Sequence, residues 1–102
     1  MARVVVTDLA DADTAKIVDD IARDAGHLVA SQYSARFEVL YDKLAAFPES
    51  CQARTRLGAH IRVGVVVPYI VIYRYMKADE TVSIIRVADG RRNITRKFLR
   101  GG

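Results

Sequence analysis

Arginine is the residue type with the clearest chemical potential in this sequence, and it is concentrated towards the C-terminus. The last dozen positions hold no acidic residue and five basic ones: Arg91, Arg92, Arg96, Lys97 and Arg100. A guanidinium group binds carboxylates and phosphates well, but its very high pKa prevents it from passing protons. Together with a net charge of +4, the cluster indicates a surface that contacts an acidic protein or a nucleic acid.

Side chains that could catalyse acid–base or nucleophilic chemistry are scarce. His27 and His60 are far apart and have no neighbouring ligands at metal-binding spacing. Cys51 is the only cysteine, and nothing near it in the sequence would activate its thiol. Gly90 stands outside any glycine-rich phosphate-binding motif and is typical of a turn. We therefore expect no catalytic residue, no metal site and no cofactor.

Two runs of β-branched and aromatic residues predict a β-hairpin at the centre of the fold. They cover residues 69–76 and 81–88, with a polar turn at 77–80 between them. Because side chains alternate along a strand, a turn centred on Ala78 and Asp79 would give the hairpin two faces. The first face would hold Tyr69, Val71, Tyr73, Tyr75, Val82, Ile84, Arg86 and Ala88. The second face would hold Ile70, Ile72, Arg74, Ser83, Ile85 and Val87.

Both hairpin faces are largely apolar, so each of them needs a cover. A helical hairpin is expected to cover the first face, because its second helix carries one apolar stripe: Tyr33, Phe37, Leu40, Leu44 and Phe47. The second face would be covered either by the C-terminal segment or by a partner. The spacing of Ile94, Phe98 and Leu99 favours a C-terminal segment that docks on a surface.

The chain as a whole predicts one α+β domain, residues 1–102, in the order β-α-α-β-β-β. A valine-rich strand at 2–7 would precede the two helices, and a strand at 60–67 would follow an irregular segment at 49–58. The expected architecture has two layers, a helical hairpin on a mainly antiparallel sheet, followed by the basic C-terminal segment. No apolar window is long enough to span a membrane, and the N-terminus lacks the features of a signal peptide. We expect a cytoplasmic protein.

Several motifs resemble the ParE branch of the RelE/ParE toxin superfamily. They are L-A-A-F-P at 44–48, P-Y-I-V-I-Y-R-Y at 68–75, D-E-T-V-S-I-I-R-V at 79–87 and D-G-R-R-N-I at 89–94. The resemblance implies a RelE/ParE-like fold and the toxin of a type II toxin–antitoxin pair. It implies a non-enzymatic inhibitor of DNA gyrase, acting on the gyrase A subunit, that a ParD-like antitoxin neutralises in a hetero-oligomer. The toxin–antitoxin complex is expected to bind its own operator DNA through the antitoxin.

RelE-like relatives of this superfamily are ribosome-dependent mRNA endoribonucleases, and two positions argue against that activity here. The resemblance aligns Ile70 with an arginine of those enzymes, and Phe98 with their tyrosine or histidine. The alternative function is nevertheless a ribosome-dependent endoribonuclease, which would use Arg62, Arg91 and Arg92 for phosphate contacts. A third possibility is a nucleic-acid-binding module without enzymatic activity.

An aliphatic patch in place of catalytic groups suits contact with another protein. We expect the antitoxin or the target to bind one set of residues: Ile70, Ile72, Arg74, Ile85, Val87, Arg91, Arg92, Arg96, Lys97, Phe98 and Arg100.

Overall fold

The computed structural model describes residues 1–101 and has the predicted α+β architecture. The helices are α1 (Asp8–Ala25), α2 (His27–Ala46) and the short α3 (Arg96–Leu99). The strands are β1 (Arg3–Val6), β2 (Gln52–Ala53), β3 (Ile61–Val66), β4 (Tyr69–Met76) and β5 (Thr81–Asp89). They form one sheet in the order β1-β5-β4-β3-β2, in which β1 pairs with β5 in parallel and the other neighbours pair antiparallel.

Thr7 joins the first strand to the first helix. Its side-chain oxygen accepts a hydrogen bond from the Ala10 amide and so caps α1, while the same hydroxyl donates to the Ile84 carbonyl at 2.8 Å. Gly26, with φ of 94°, then separates α1 from α2 in a conformation that side chains rarely adopt. The two helices consequently form the predicted hairpin against the sheet.

The helical hairpin covers the first face of the sheet. Phe37, Leu40 and Leu44 of the predicted stripe are buried there, and Tyr33 packs at its margin. The prediction for Phe47 is wrong, because this residue follows the last turn of α2 and its side chain is 65% exposed. Helix α2 approaches β3 closely at Gly64, since a Cβ atom there would lie 3.1 Å from Leu40 Cδ2.

A β-bulge in the central hairpin changes the predicted pairing. Tyr73 faces Ile84 as expected, but the register shifts between Ile72 and Tyr73, so that Val71 faces Val87. Val87 therefore joins the helix-covered core, and its predicted place on the second face is wrong. By the same shift, Ala88 belongs to the second face and packs with Ile72.

The second face is covered by the chain itself. Ile94 and Phe98 pack on it from the C-terminal segment, together with Leu57, and bury Ile72 completely. Docking of the C-terminal segment is thus confirmed. The expectation that a partner reaches the buried part of this face is wrong, because the chain's own hydrocarbon already occupies it.

Candidate functional site

The eleven residues expected to contact a partner fall into three groups by their exposure. Ile72, Val87 and Phe98 are buried in the protein's own core and do not form an accessible surface. Ile70 and Ile85 are partly exposed. The basic members are exposed at the surface: Arg74, Arg91, Arg92, Arg96, Lys97 and Arg100. The structure therefore exposes the cations of the predicted site and buries half of its aliphatic patch.

A cleft of about 160 Å³ lies beside the docked C-terminal segment. Ile70 and Ile72 form part of its floor, and Arg54, Arg56 and Arg92 line its sides. The sequence did not indicate a role for Arg54 or Arg56, because their segment lacks a regular pattern. The only signal in the sequence for a site at these two arginines was the local charge: no acidic residue occurs between Cys51 and Met76.

Arg86 and Asp13 form a clamp that the sequence did not predict. Two nitrogens of the Arg86 guanidinium donate to the Asp13 carboxylate at 2.7 and 2.8 Å, and both side chains are mostly buried. The same carboxylate accepts a hydrogen bond from the Val87 amide. The hydrogen bonds that the Arg86 guanidinium donates to Asp13 raise the pKa of Arg86. A lone arginine in an apolar strand was the available signal, because such a charge requires a partner.

The clamp also positions the C-terminal segment. Arg86 donates to the Phe98 carbonyl at 2.7 Å, and its guanidinium carbon lies 3.9 Å from the centre of the Phe98 ring. Arg92 stacks on the same ring at 4.2 Å. Phe98 therefore anchors α3 on the sheet. At the position where the resemblance aligns a ribonuclease tyrosine or histidine, this chain thus has a residue with a packing role.

Arg91 is largely neutralised by its neighbour. Its guanidinium donates two hydrogen bonds to the Asp89 carboxylate, at 2.9 and 3.0 Å, and its amide donates a third. The side-chain hydrogen bonds from Arg91 lower the pKa of Asp89 to about 2. Asp89 thus remains a carboxylate at neutral pH and cannot supply a proton.

Arg62 lies on the wrong side of the sheet for the ribonuclease alternative. It pairs with Tyr73, whose side chain belongs to the helix-covered core, whereas Arg92 lines the cleft on the second face. Its guanidinium is also engaged by the carbonyls of Cys51 and Glu49, at 2.7 and 3.1 Å. The arginines proposed for phosphate contact in that alternative are therefore not assembled into one site.

The other titratable candidates are dispersed. His27 begins α2, and His60 stands in the turn before β3. Within residues 1–101 no group of three or more histidine, cysteine or acidic side chains is placed to hold a metal ion. Tyr73 is deeply buried, which raises the pKa of its phenol, and its hydroxyl donates to the Pro48 carbonyl at 2.8 Å. None of these groups faces the basic cleft.

The described residues contain no helix that is both long enough and apolar enough to cross a membrane.

Comparison with known proteins agrees with this architecture. Residues 4–94 match the family model of the ParE toxin of the type II toxin–antitoxin system parDE. Toxin ParE3 of Caulobacter vibrioides is 34% identical over 94 residues, which are 92% of each chain. A solved structure of the chromosomal ParDE system from P. aeruginosa superposes with a TM-score of 0.72 over 87% of this chain and 96% of that one. At 18% identity, that structure supports the fold alone. The chain belongs to the ParE toxin family of type II toxin–antitoxin systems.

Proposed function

We propose that this toxin arrests growth in the cytoplasm by binding DNA gyrase, through the gyrase A subunit, without catalysing a reaction of its own. One observation carries the proposal: the surface around the second-face cleft presents arginines and no group that could transfer a proton. Arginine can hold an anionic partner but cannot cleave it by acid–base chemistry. Family membership supports the choice of a topoisomerase as the target.

The ribonuclease alternative requires groups that this chain arranges differently. Ile70 contributes hydrocarbon to the cleft, and Phe98 is buried beneath Arg86 and Arg92. Neither side chain can donate a hydrogen bond to a phosphate or to a leaving oxygen. Arg62 is held on the opposite face of the sheet. These differences favour a binding protein over a nuclease.

We further propose that a ParD-like antitoxin docks along the free edge of β3. The short β2 pairs with Arg62 and Val63, and none of the described strands lies beside Gly64–Val66 on that edge. A groove of about 300 Å³ follows the edge, with Val39 and Val65 exposed in it. An extended segment that adds a strand there would gain backbone hydrogen bonds and bury valine.

The charges of the groove suggest the chemistry of the antitoxin segment. Arg36 and Lys43 of α2 line the groove, and neither forms an ion pair within residues 1–101. An apolar segment flanked by acidic residues would complement both features. The hetero-oligomer would bind operator DNA through the antitoxin, which leaves the toxin's basic surface on the second face outside this contact.

The antitoxin contact can be tested with a matched pair of substitutions. Val65→Asp places a carboxylate in the groove and should weaken antitoxin binding by more than tenfold, because a charge replaces hydrocarbon in the interface. Leu28→Asp introduces the same charge at an exposed apolar position of α2 that lies outside the groove, and it should leave affinity unchanged. Isothermal titration calorimetry with the purified antitoxin measures both. Equal affinities for the two variants would rule out the β3 edge.

The gyrase contact is tested by titrating purified toxin into a supercoiling reaction. Supercoiling should fall as toxin is added, and equimolar antitoxin should restore it, because the antitoxin withdraws the free toxin. A parallel decatenation reaction with topoisomerase IV identifies that enzyme as the target if it alone responds. Unchanged supercoiling across the titration would contradict the proposed function.

A further inference from the structure

Six exposed arginines form a nearly continuous band on the second face of the sheet, which we call the guanidinium surface: Arg54, Arg56, Arg74, Arg92, Arg96 and Arg100. Three of them line the cleft beside Ile70, and the other three line an adjoining groove of about 370 Å³. Leu57 borders both depressions and connects them. The segments that carry these arginines, residues 51–76 and 90–102, contain no acidic residue.

The charges of the guanidinium surface are available for an external partner. None of its six members forms an ion pair within residues 1–101, whereas Arg62, Arg86 and Arg91 each contact a carboxylate. A set of cations that has no internal counterion repels itself, and this repulsion is relieved when an anion binds. The surface thus combines high charge density with an absence of competing carboxylates.

Several of these arginines are held in place without losing their charge. Arg56 donates to the Ile94 carbonyl at 3.3 Å, and Arg96 donates to the Arg56 carbonyl at 3.0 Å. Arg92 stacks on the Phe98 ring. Carbonyl and ring contacts restrict these side chains but leave other N–H groups free to donate, so less conformational entropy is lost on binding.

We propose that the guanidinium surface binds the sugar–phosphate backbone of duplex DNA. Duplex DNA offers about one negative charge per 1.7 Å of helix axis, which suits a dense row of arginines. A peptide partner would require apolar anchor pockets, but Leu57, Ile94 and Phe98 already fill most of the sheet face between the arginines and leave only the small cleft at Ile70. The inference rests on the proposed function in one respect: a toxin bound to gyrase has the enzyme's DNA within reach.

The test uses fluorescence anisotropy to measure binding of the full-length toxin to a labelled DNA duplex of about 30 base pairs, roughly three helical turns. Binding is measured over a range of NaCl concentrations. The variant Arg74→Gln/Arg96→Gln/Arg100→Gln removes three exposed charges from the surface. The control Arg3→Gln/Arg23→Gln/Lys77→Gln removes the same charge from exposed positions elsewhere. Circular dichroism and urea midpoints verify that both variants fold like the parent chain.

Each phosphate contact contributes about −0.9 to the slope of log affinity against log salt. The slope of the surface variant should therefore be shallower by roughly 2 to 3, while the control variant should keep the parental slope. Three outcomes would overturn the proposal: no binding by the parent chain, equal slopes for the two variants, or a higher affinity for an RNA duplex or an acidic peptide than for DNA.

A supercoiling reaction with the same three proteins separates this inference from the proposed function. DNA binding without any effect on gyrase would support the guanidinium surface and contradict the choice of target. Inhibition of gyrase by a toxin that does not bind DNA would support the choice of target and contradict DNA binding by the guanidinium surface.

Discussion

Two buried tyrosines differ in the hydrogen bonding of their hydroxyl groups. Tyr73 donates to the Pro48 carbonyl at 2.8 Å and so ties β4 to the turn that follows α2. The Tyr41 hydroxyl makes no well-formed hydrogen bond in the described part of the chain, although the Thr14 side chain lies close to it. Burial raises the pKa of both phenols, so both are neutral under ordinary conditions. A buried hydroxyl that lacks a partner costs stability, whereas a satisfied one contributes to it.

Removal of the Tyr41 hydroxyl and removal of the Tyr73 hydroxyl should therefore change the stability of the fold in opposite directions. Tyr41→Phe is expected to raise the free energy of unfolding by about 1 kcal/mol, and Tyr73→Phe to lower it by about 1 kcal/mol. Urea denaturation of the two variants beside the parent chain measures both changes. The two substitutions delete the same atom, so each serves as the control for the other. Destabilisation by both to the same extent would indicate that Tyr41 has a partner.

The Asp89–Arg91 pair predicts a pH effect with a definite sign. The side-chain hydrogen bonds from Arg91 lower the folded-state pKa of Asp89 to about 2, below the unfolded value of about 3.9. The pair therefore stabilises the fold above pH ~3.9, and its contribution is lost as the pH falls towards 2. An NMR titration of the Asp89 carboxyl should give this low pKa, and Arg91→Ala should return it towards the ordinary value. An ordinary pKa in the parent chain would contradict the pairing.

The central hairpin marks the limit of what residue patterns could predict. Alternation placed Val71, Tyr73, Val82 and Ile84 correctly, because strand geometry fixes side-chain direction over a regular ladder. The bulge at Ile72/Tyr73 then reversed the faces of the residues that follow Ile85. No sequence feature marks the bulge. The predicted face of Val87, one member of the expected contact set, was wrong for the same reason.

The identity of the cover on the second face could be only partly predicted. The spacing of Ile94 and Phe98 correctly indicated a docked segment, since apolar groups on one side of a short helix gain by burial. The Asp13–Arg86 clamp could not be predicted from local sequence, because its partners are separated by 73 residues. Tertiary pairing of this kind follows from the fold and is not visible in any window of sequence.

The clamp joins three elements, α1, β5 and α3, so its loss should be costly. Asp13→Ala leaves the Arg86 guanidinium mostly buried without its carboxylate, and we expect the free energy of unfolding to fall by about 2 to 3 kcal/mol. Asp20→Ala removes an exposed carboxylate from the same helix and should have little effect. Urea denaturation compares them. Similar small changes in both variants would show that the clamp does not stabilise the fold.

Docking of α3 depends on the ring of Phe98. Phe98→Ala should lower the free energy of unfolding by about 3 kcal/mol and increase hydrogen exchange in β3 and β4, because the second face loses its cover. Lys97→Ala alters the neighbouring exposed side chain and should leave exchange unchanged. Exchange of β3 and β4 that is equally slow in both variants would contradict a covering role for α3.

At the scale of the whole molecule, charge is separated along the chain. Helix α1 contains six of the twelve acidic residues, whereas residues 51–76 and 90–102 contain nine basic residues and no acidic one. The net charge of +4 therefore understates the potential at the guanidinium surface. Together with the proposed antitoxin groove on the edge of β3, this gives two separate candidate surfaces for binding, and the side chains that line them include no histidine, cysteine or carboxylate.

The claim that this toxin acts without catalysing a reaction is tested most directly by adding one toxin preparation to two separate reactions. The first reaction contains DNA gyrase and relaxed plasmid, and the second contains translating ribosomes whose mRNA is mapped by primer extension. We predict that the toxin stops supercoiling and leaves the mRNA intact at the same concentration. Cut mRNA with undisturbed supercoiling would contradict a toxin that acts by binding alone.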